Sequence, residues 1–161
     1  MAVMPIKEIG DPVLRTEAKK VKTVDDNTRE LIKNLIDTLR ENDGLGLAAN
    51  QIGILQQVAV VEVENELLKI INPEIIDKKG KEIGEEGCLS VPGKQGPVSR
   101  AKEITLSYQN EQGLEVEKTF TDLVARVIQH EIDHLQGKLF VDKIVDISSN
   151  LEIDDKAREL D

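Results

Sequence analysis

His130 and His134, the only two histidines in the 161-residue chain, stand four residues apart in His130-Glu131-Ile132-Asp133-His134. The single cysteine, Cys88, lies in a glycine-flanked segment, Glu86-Gly87-Cys88-Leu89-Ser90. On a helix, residues i and i+4 project from one face with about 5–6 Å between Cβ atoms, so both imidazoles can grip one ion. Glu131 then points beside the ion, as a carboxylate free to move protons. Two ligands and an unligated carboxylate are what a metal hydrolase needs.

A His-x-x-x-His pair alone is weak evidence, and the intervening Glu strengthens it. A free cysteine is ordinarily a small buried hydrophobe. Cys88, however, has Gly87 on one side and the charged pair Glu85 and Glu86 just before it, a composition foreign to a core strand. A third segment, Gly44-Leu45-Gly46-Leu47-Ala48-Ala49-Asn50-Gln51, has glycines that allow close backbone approach. Its Gln51 carboxamide is placed to donate a hydrogen bond to a developing oxyanion, a role no better supported by composition than a polar turn residue.

The elements that must position these residues follow from periodicity. Residues 25–42 carry Leu31, Ile32, Leu35, Ile36 and Leu39 at helical spacing, with Asp25, Asp26 and Asn27 as candidate caps and Gly44 past the end. Residues 57–63 and 68–71 have the β-branched content of strands. Residues 76–96 are rich in glycine and charge, and residues 104–108 and 114–120 alternate as a hairpin around residues 110–113. Thr121 is expected to cap a second helix running to Gln136, with Gly137 in the left-handed position after it. Leu123, Val127 and Ile128 share the side of this helix that carries the histidines. The tail, residues 148–161, is polar and acidic, helical or frayed.

Strands without steady alternation with helices predict an α+β fold, with mixed or antiparallel sheets packed around the helix that carries the histidines. Length and the lack of a linker predict one domain over residues 1–161. The net charge of −10 argues against nucleic-acid binding, which draws on Lys and Arg. One cysteine forms no internal disulfide, no signal-like or membrane-spanning stretch is present, and a soluble cytoplasmic protein is expected.

Taken together, residues 44–51, 86–90 and 129–134 resemble the peptide deformylase family of bacterial type. That family is marked by Gly-x-Gly-x-Ala-Ala-x-Gln, Glu-Gly-Cys-x-Ser and Gln-His-Glu-x-Asp-His, in that order, and all three are complete here. The resemblance implies a cytoplasmic hydrolase of protein biosynthesis that removes the formyl group from N-terminal formylmethionine of newly made polypeptides and releases formate. It implies Cys88, His130 and His134 as ligands of one divalent metal, Fe²⁺ in the cell, with Zn²⁺, Ni²⁺ or Co²⁺ able to replace it. Glu131 would shuttle the proton, and Gln51 with the Leu89 N–H would meet the oxyanion. Leu45, Leu123, Val127 and the His130 ring would wall a methionine pocket, and Gly46, Glu86 and Gly87 would contact the peptide.

The resemblance also suggests Asp133 as an outer partner of the ligands, unless it is a solvated charge, and Arg100 as a cation for Glu86. Arg126 departs from the apolar residue of some relatives, either lining the pocket with its stem and reaching solvent or facing away. Residues 93–96 lack an arginine that some relatives use to hold substrate. The acidic tail argues against ribosome docking through a basic helix, so proximity to the ribosome would be transient, and a monomer is expected. A small zinc endopeptidase and a non-catalytic metal-binding protein are the competing readings. The cysteine argues against the first, and Glu131 against the second.

Overall fold

The run Val58–Val63 (β2) is almost continuously apolar because both of its faces are covered. In the computed structural model, which describes residues 2–146, Val58 and Val60 pack with Leu31, Ile32, Leu35 and Leu39 of helix α1 (Asp26–Glu41). Val61 and Val63 pack with Ala125, Val127, Ile128 and Ile132 of helix α2 (Asp122–Leu135). Alternate side chains leave opposite faces of a strand, so β2 serves both cores at once.

Five strands form the main sheet in the order β1 (Gly46–Ala48), β2, β3 (Glu66–Lys79), β6 (Glu103–Gln109) and β7 (Glu115–Thr121), every pair antiparallel. A separate two-stranded sheet pairs β4 (Glu82–Cys88) with β5 (Val91–Arg100). The fold is α+β with antiparallel sheets. Among the described residues no helix is long and apolar enough to cross a membrane. Residues 147–161, which include the expected tail, lie outside the described residues.

Three local expectations are revised. The strand expected over residues 68–71 continues to Lys79, past Asn72 at φ 50° and Pro73. A bulge absorbs both, with register shifts between Ile71 and Glu74 and again between Ile75 and Asp77. Asn72 secures it, bonding the Val21 N–H, the Val21 carbonyl and the Gln109 side chain at 2.8, 2.8 and 2.7 Å. The glycine- and charge-rich residues 76–96 turn out to be strand over most of their length. Positions 84, 86 and 88 face inward on β4, but they are Gly, Glu and Cys, so the inward face gives no hydrophobic alternation to detect.

The helix ends were only partly anticipated. Asp25 caps α1 by accepting from the Asn27 and Thr28 N–H groups at 3.0 and 3.2 Å, within a capping box. At its other end the left-handed residue is Asp43, φ 53°, not Gly44. Gly44 is needed for space, because a Cβ there would lie 2.8 Å from both Leu39 and Leu89 side chains. Thr121 precedes α2 without a side-chain cap bond.

Gly137 does hold the left-handed position after α2, φ 76°, and a Cβ there would meet the Arg15 carbonyl oxygen at 2.7 Å. Gly137→Ala should therefore destabilise the protein by about 1–3 kcal/mol, combining left-handed strain with a backbone clash. Urea unfolding monitored by circular dichroism checks this, and an unchanged midpoint would contradict it.

Candidate metal centre and cleft

Two independent pieces of chain meet at one point. Cys88 ends β4, where the hairpin register shifts between Gly87 and Cys88, and the two histidines sit on consecutive turns of α2. The Cys88 Sγ lies 3.2 Å from His134 Nε2. One ligand atom from each of Cys88, His130 and His134 falls within 4.8 Å of the others. A tetrahedral ion at ordinary Zn–S and Zn–N lengths separates such donors by about 3.5 Å, so this triangle is of the size one ion requires.

Electrostatics around the rings favour a cation. Burial opposes charge on His130, yet hydrogen bonds with Cys88 and Glu86 and the charge of Glu131 push its pKa up to about 10. A metal ion bound there would have to displace the ring proton, and would supply the positive charge that the neighbouring carboxylates favour. Burial, together with the charges on His130 and Arg100, holds His134 well below the ordinary histidine value, which keeps a lone pair free. Its buried Nδ1 has no hydrogen-bond partner among the described residues. The donor set of two imidazoles and one thiol suits zinc or a borderline ion such as Fe²⁺.

His130 and Cys88 are each aimed by neighbours. His130 Nδ1 is 2.9 Å from Glu86 Oε1, which turns Nε2 toward Cys88. The Ser90 N–H and the Gln51 Nε2 point at the Cys88 sulfur from 3.4 and 3.5 Å. Gln51 is itself oriented, because its Oε1 accepts from the Ala48 N–H at 2.9 Å and its Nε2 donates to Ser90 Oγ at 3.0 Å. The role of Ser90 was not visible in the sequence, although it lies inside the Glu-Gly-Cys-x-Ser segment.

Glu131 is buried beside the ligands, and its Oε1 has no partner among the described residues. Burial, helped by the charges of Glu86 and Asp133 and opposed by those of His130 and Arg100, raises its pKa to about 7. A Cβ at Gly46 would sit 2.6 Å from Glu131 Oε2 and 2.8 Å from Val127, so only glycine lets β1 pass this close. Leu45, Gly46, Glu86, Gly87, Leu89, Leu123, Val127, His130 and Glu131 all line one open cleft of about 1120 Å³. Leu123 was expected to share the buried side of α2; it is 42% exposed at the cleft, while Val127 is buried. The cleft runs between β1, an edge strand of the main sheet, and β4, which among the described residues pairs only with β5.

Glu86 pairs with Arg100 as expected, and does more. The sequence places it among the peptide contacts, but its carboxylate is turned inward and fully engaged. Oε2 accepts from Arg100 Nε at 2.9 Å and from Arg126 Nη1 at 2.6 Å; Oε1 accepts from Arg100 Nη2 at 2.9 Å, besides His130. Burial works against its charge, but Arg100 and His130 hold the carboxyl well below the usual range. Only the backbone of Glu86 remains to face a ligand.

Arg126 neither reaches solvent nor faces away. Its guanidinium is buried and also donates to the Val98 and Glu82 carbonyls at 3.0 and 2.7 Å. Asp133 is likewise buried rather than solvated, paired with Arg100 and, at 3.1 Å, with Lys143.

These parts define a class, an α+β protein with a three-donor metal centre and an unligated helix carboxylate opening on a cleft, which is the layout of a metallohydrolase. Residues 3–150 match the family model described as polypeptide deformylase. A peptide deformylase of Pseudothermotoga lettingae is 52% identical over 143 residues, covering 88% of this chain and 83% of that one. The crystal structure of peptide deformylase from Thermotoga maritima aligns with TM-score 0.89 and 43% identity, covering 91% of this chain and 100% of the other. A Met-Ala-Ser-bound class I type b peptide deformylase from Acinetobacter baumannii aligns with TM-score 0.85 and 34% identity, covering 89% of this chain and 99% of that one.

The chain belongs to the polypeptide deformylase family. That membership sets aside the endopeptidase and non-catalytic readings.

Cys88→Ser replaces the soft ligand with a hydroxyl that seldom binds as an anion. Metal affinity should fall by more than the roughly 10–100-fold typical of losing an outer partner, measured by competition with a chromogenic chelator. Affinity equal to that of the unaltered protein would remove Cys88 from the ligand set.

Proposed function

We propose that this protein removes the formyl group from the N-terminal formylmethionine of newly made polypeptides, releasing formate and a free amine. The observation that carries this reading is the meeting of Cys88 with the histidine pair beside Glu131, whose buried oxygen has no partner among the described residues. The residues would hold one divalent ion, Fe²⁺ by the family resemblance, with Zn²⁺, Ni²⁺ or Co²⁺ as substitutes. When bound, such an ion supplies Lewis acidity, which makes water nucleophilic near neutral pH and polarises a carbonyl.

The chain does the rest. Glu131 takes a proton from the attacking water and delivers it to the nitrogen as the C–N bond breaks, so the water's oxygen ends in formate and its proton on the amine. Gln51 Nε2 and the Leu89 N–H meet the oxygen that becomes negative when the formyl carbon turns tetrahedral. Gln51 suits this task because Ala48 already fixes its amide with Nε2 directed toward Cys88 and Ser90.

Leu45, Leu123, Val127 and the face of His130 receive the methionine side chain. The peptide beyond it lies extended between the free edges of β1 and β4, bonding to the backbone of Gly46, Glu86 and Gly87. The Met-Ala-Ser-bound relative supports a peptide as occupant. A single-domain monomer acting in the cytoplasm, close to nascent chains and only transiently near ribosomes, completes the reading.

The test is formate release from formyl-Met-Ala-Ser by the Fe²⁺- or Ni²⁺-loaded protein. Glu131→Gln should keep its metal while turnover falls about 10²–10⁴-fold. Gln51→Leu should lower kcat by about 10²–10³ with little change in KM. No formate from the unaltered protein would overturn the function, and full activity in Glu131→Gln would overturn the proton-transfer role.

A further inference from the structure

We infer that Arg126 and Gly84 are a matched pair in this chain, in which Arg126 serves as a second guanidinium clamp on Glu86 and thereby positions the metal ligand His130. The inference rests on the reading of Cys88, His130 and His134 as one metal centre.

A carboxylate has roughly four acceptor positions, and at Glu86 all four are filled. Arg100 takes one position on each oxygen, His130 Nδ1 takes the second on Oε1, and Arg126 Nη1 takes the second on Oε2. The Arg126 bond, at 2.6 Å, is the shortest of the four. With Glu86 buried, water is poorly placed to replace it. Loss of Arg126 would leave Oε2 with one donor and the carboxylate mounted on Arg100 alone, a looser support for the Oε1 that meets the imidazole.

Arg126 lies on α2 one turn before His130, while Glu86 comes from β4. The same guanidinium reaches the Glu82 carbonyl of β4 and the Val98 carbonyl of β5. It therefore fixes the cysteine-bearing hairpin relative to the histidine-bearing helix as well as the carboxylate between them. The head group packs directly against position 84, where a side chain would press on it. A Cβ there would lie 3.0 Å from Arg126 Cζ and Nε and 3.1 Å from Nη2. Gly84 has no left-handed backbone angle, so this packing is the visible reason for glycine.

A purely structural arginine and a positioning one are separated by a double-mutant cycle read by metal release. The Ni²⁺-loaded protein is mixed with excess chelator and ion loss is followed by absorbance, with the visible spectrum of the Co²⁺ form as a second signal of ligand geometry. Arg126→Met should accelerate release about tenfold or more, in the range for loss of an outer partner of a ligating histidine, and should shift the Co²⁺ bands. Arg126→Lys should fall between. In a Glu86→Gln background Arg126→Met should change release by less than about twofold, because the charge it acts on is gone.

Gly84→Ala, which adds one methyl group and keeps the proposal testable should Arg126→Met not fold, should speed release severalfold alone and have no effect on top of Arg126→Met. Release and spectrum unchanged in Arg126→Met, or equal acceleration with and without Glu86→Gln, would overturn the inference. Because the readout is the metal, failure of the unaltered protein to release formate would sink the functional proposal and leave this one standing.

Discussion

A single buried carboxylate, Glu86, ties the structure together. The thiol comes from a two-stranded hairpin and the imidazoles from a helix packed on a different sheet, and among the described residues no backbone hydrogen-bond ladder joins the two sheets. Their register relative to one another is set where Glu86 accepts from Arg100 and Arg126 and engages His130. A buried charge is costly unless paired and hydrogen-bonded. That cost is what gives the junction its geometry, since any displacement of β4 against α2 strands a charge away from water. Asp133 and Lys143 extend the pairing from Arg100 to the far side of the helix.

Glycine supplies the complementary constraint. Gly46 brings the β1 edge against Glu131, and Gly44 lets the chain entering that strand pass between Leu39 and Leu89. Both are demands for space rather than for unusual backbone angles. The result is a cleft with one wall from each sheet, lined also by Cys88, His130 and Glu131.

Much of this was legible in the sequence, for physical reasons that also explain what was not. The two helices and the β6–β7 hairpin announce themselves because their buried positions are apolar and periodic. The metal donors stand out because histidine and cysteine are so few. The β4 strand was hidden by its own chemistry, because its inward positions are occupied by Gly84, Glu86 and Cys88 rather than by hydrophobes. Arg126 was ambiguous for the opposite reason. A charged residue on an apolar helix face can snorkel or pair, and only the three-dimensional position of Glu86 decides between them. The glycine at 44 looked like a helix stop, and its crowding by Leu89, forty-five residues on, cannot be seen from local pattern.

The central claim is that sulfur from the hairpin and two ring nitrogens from the helix close around one cation. X-ray absorption at the metal edge of the loaded protein tests this most directly. The account predicts one sulfur at about 2.3 Å and two imidazole nitrogens at about 2.0–2.1 Å, with a further light atom in the open position. A spectrum with no sulfur in the coordination shell, or with a single imidazole, would contradict it.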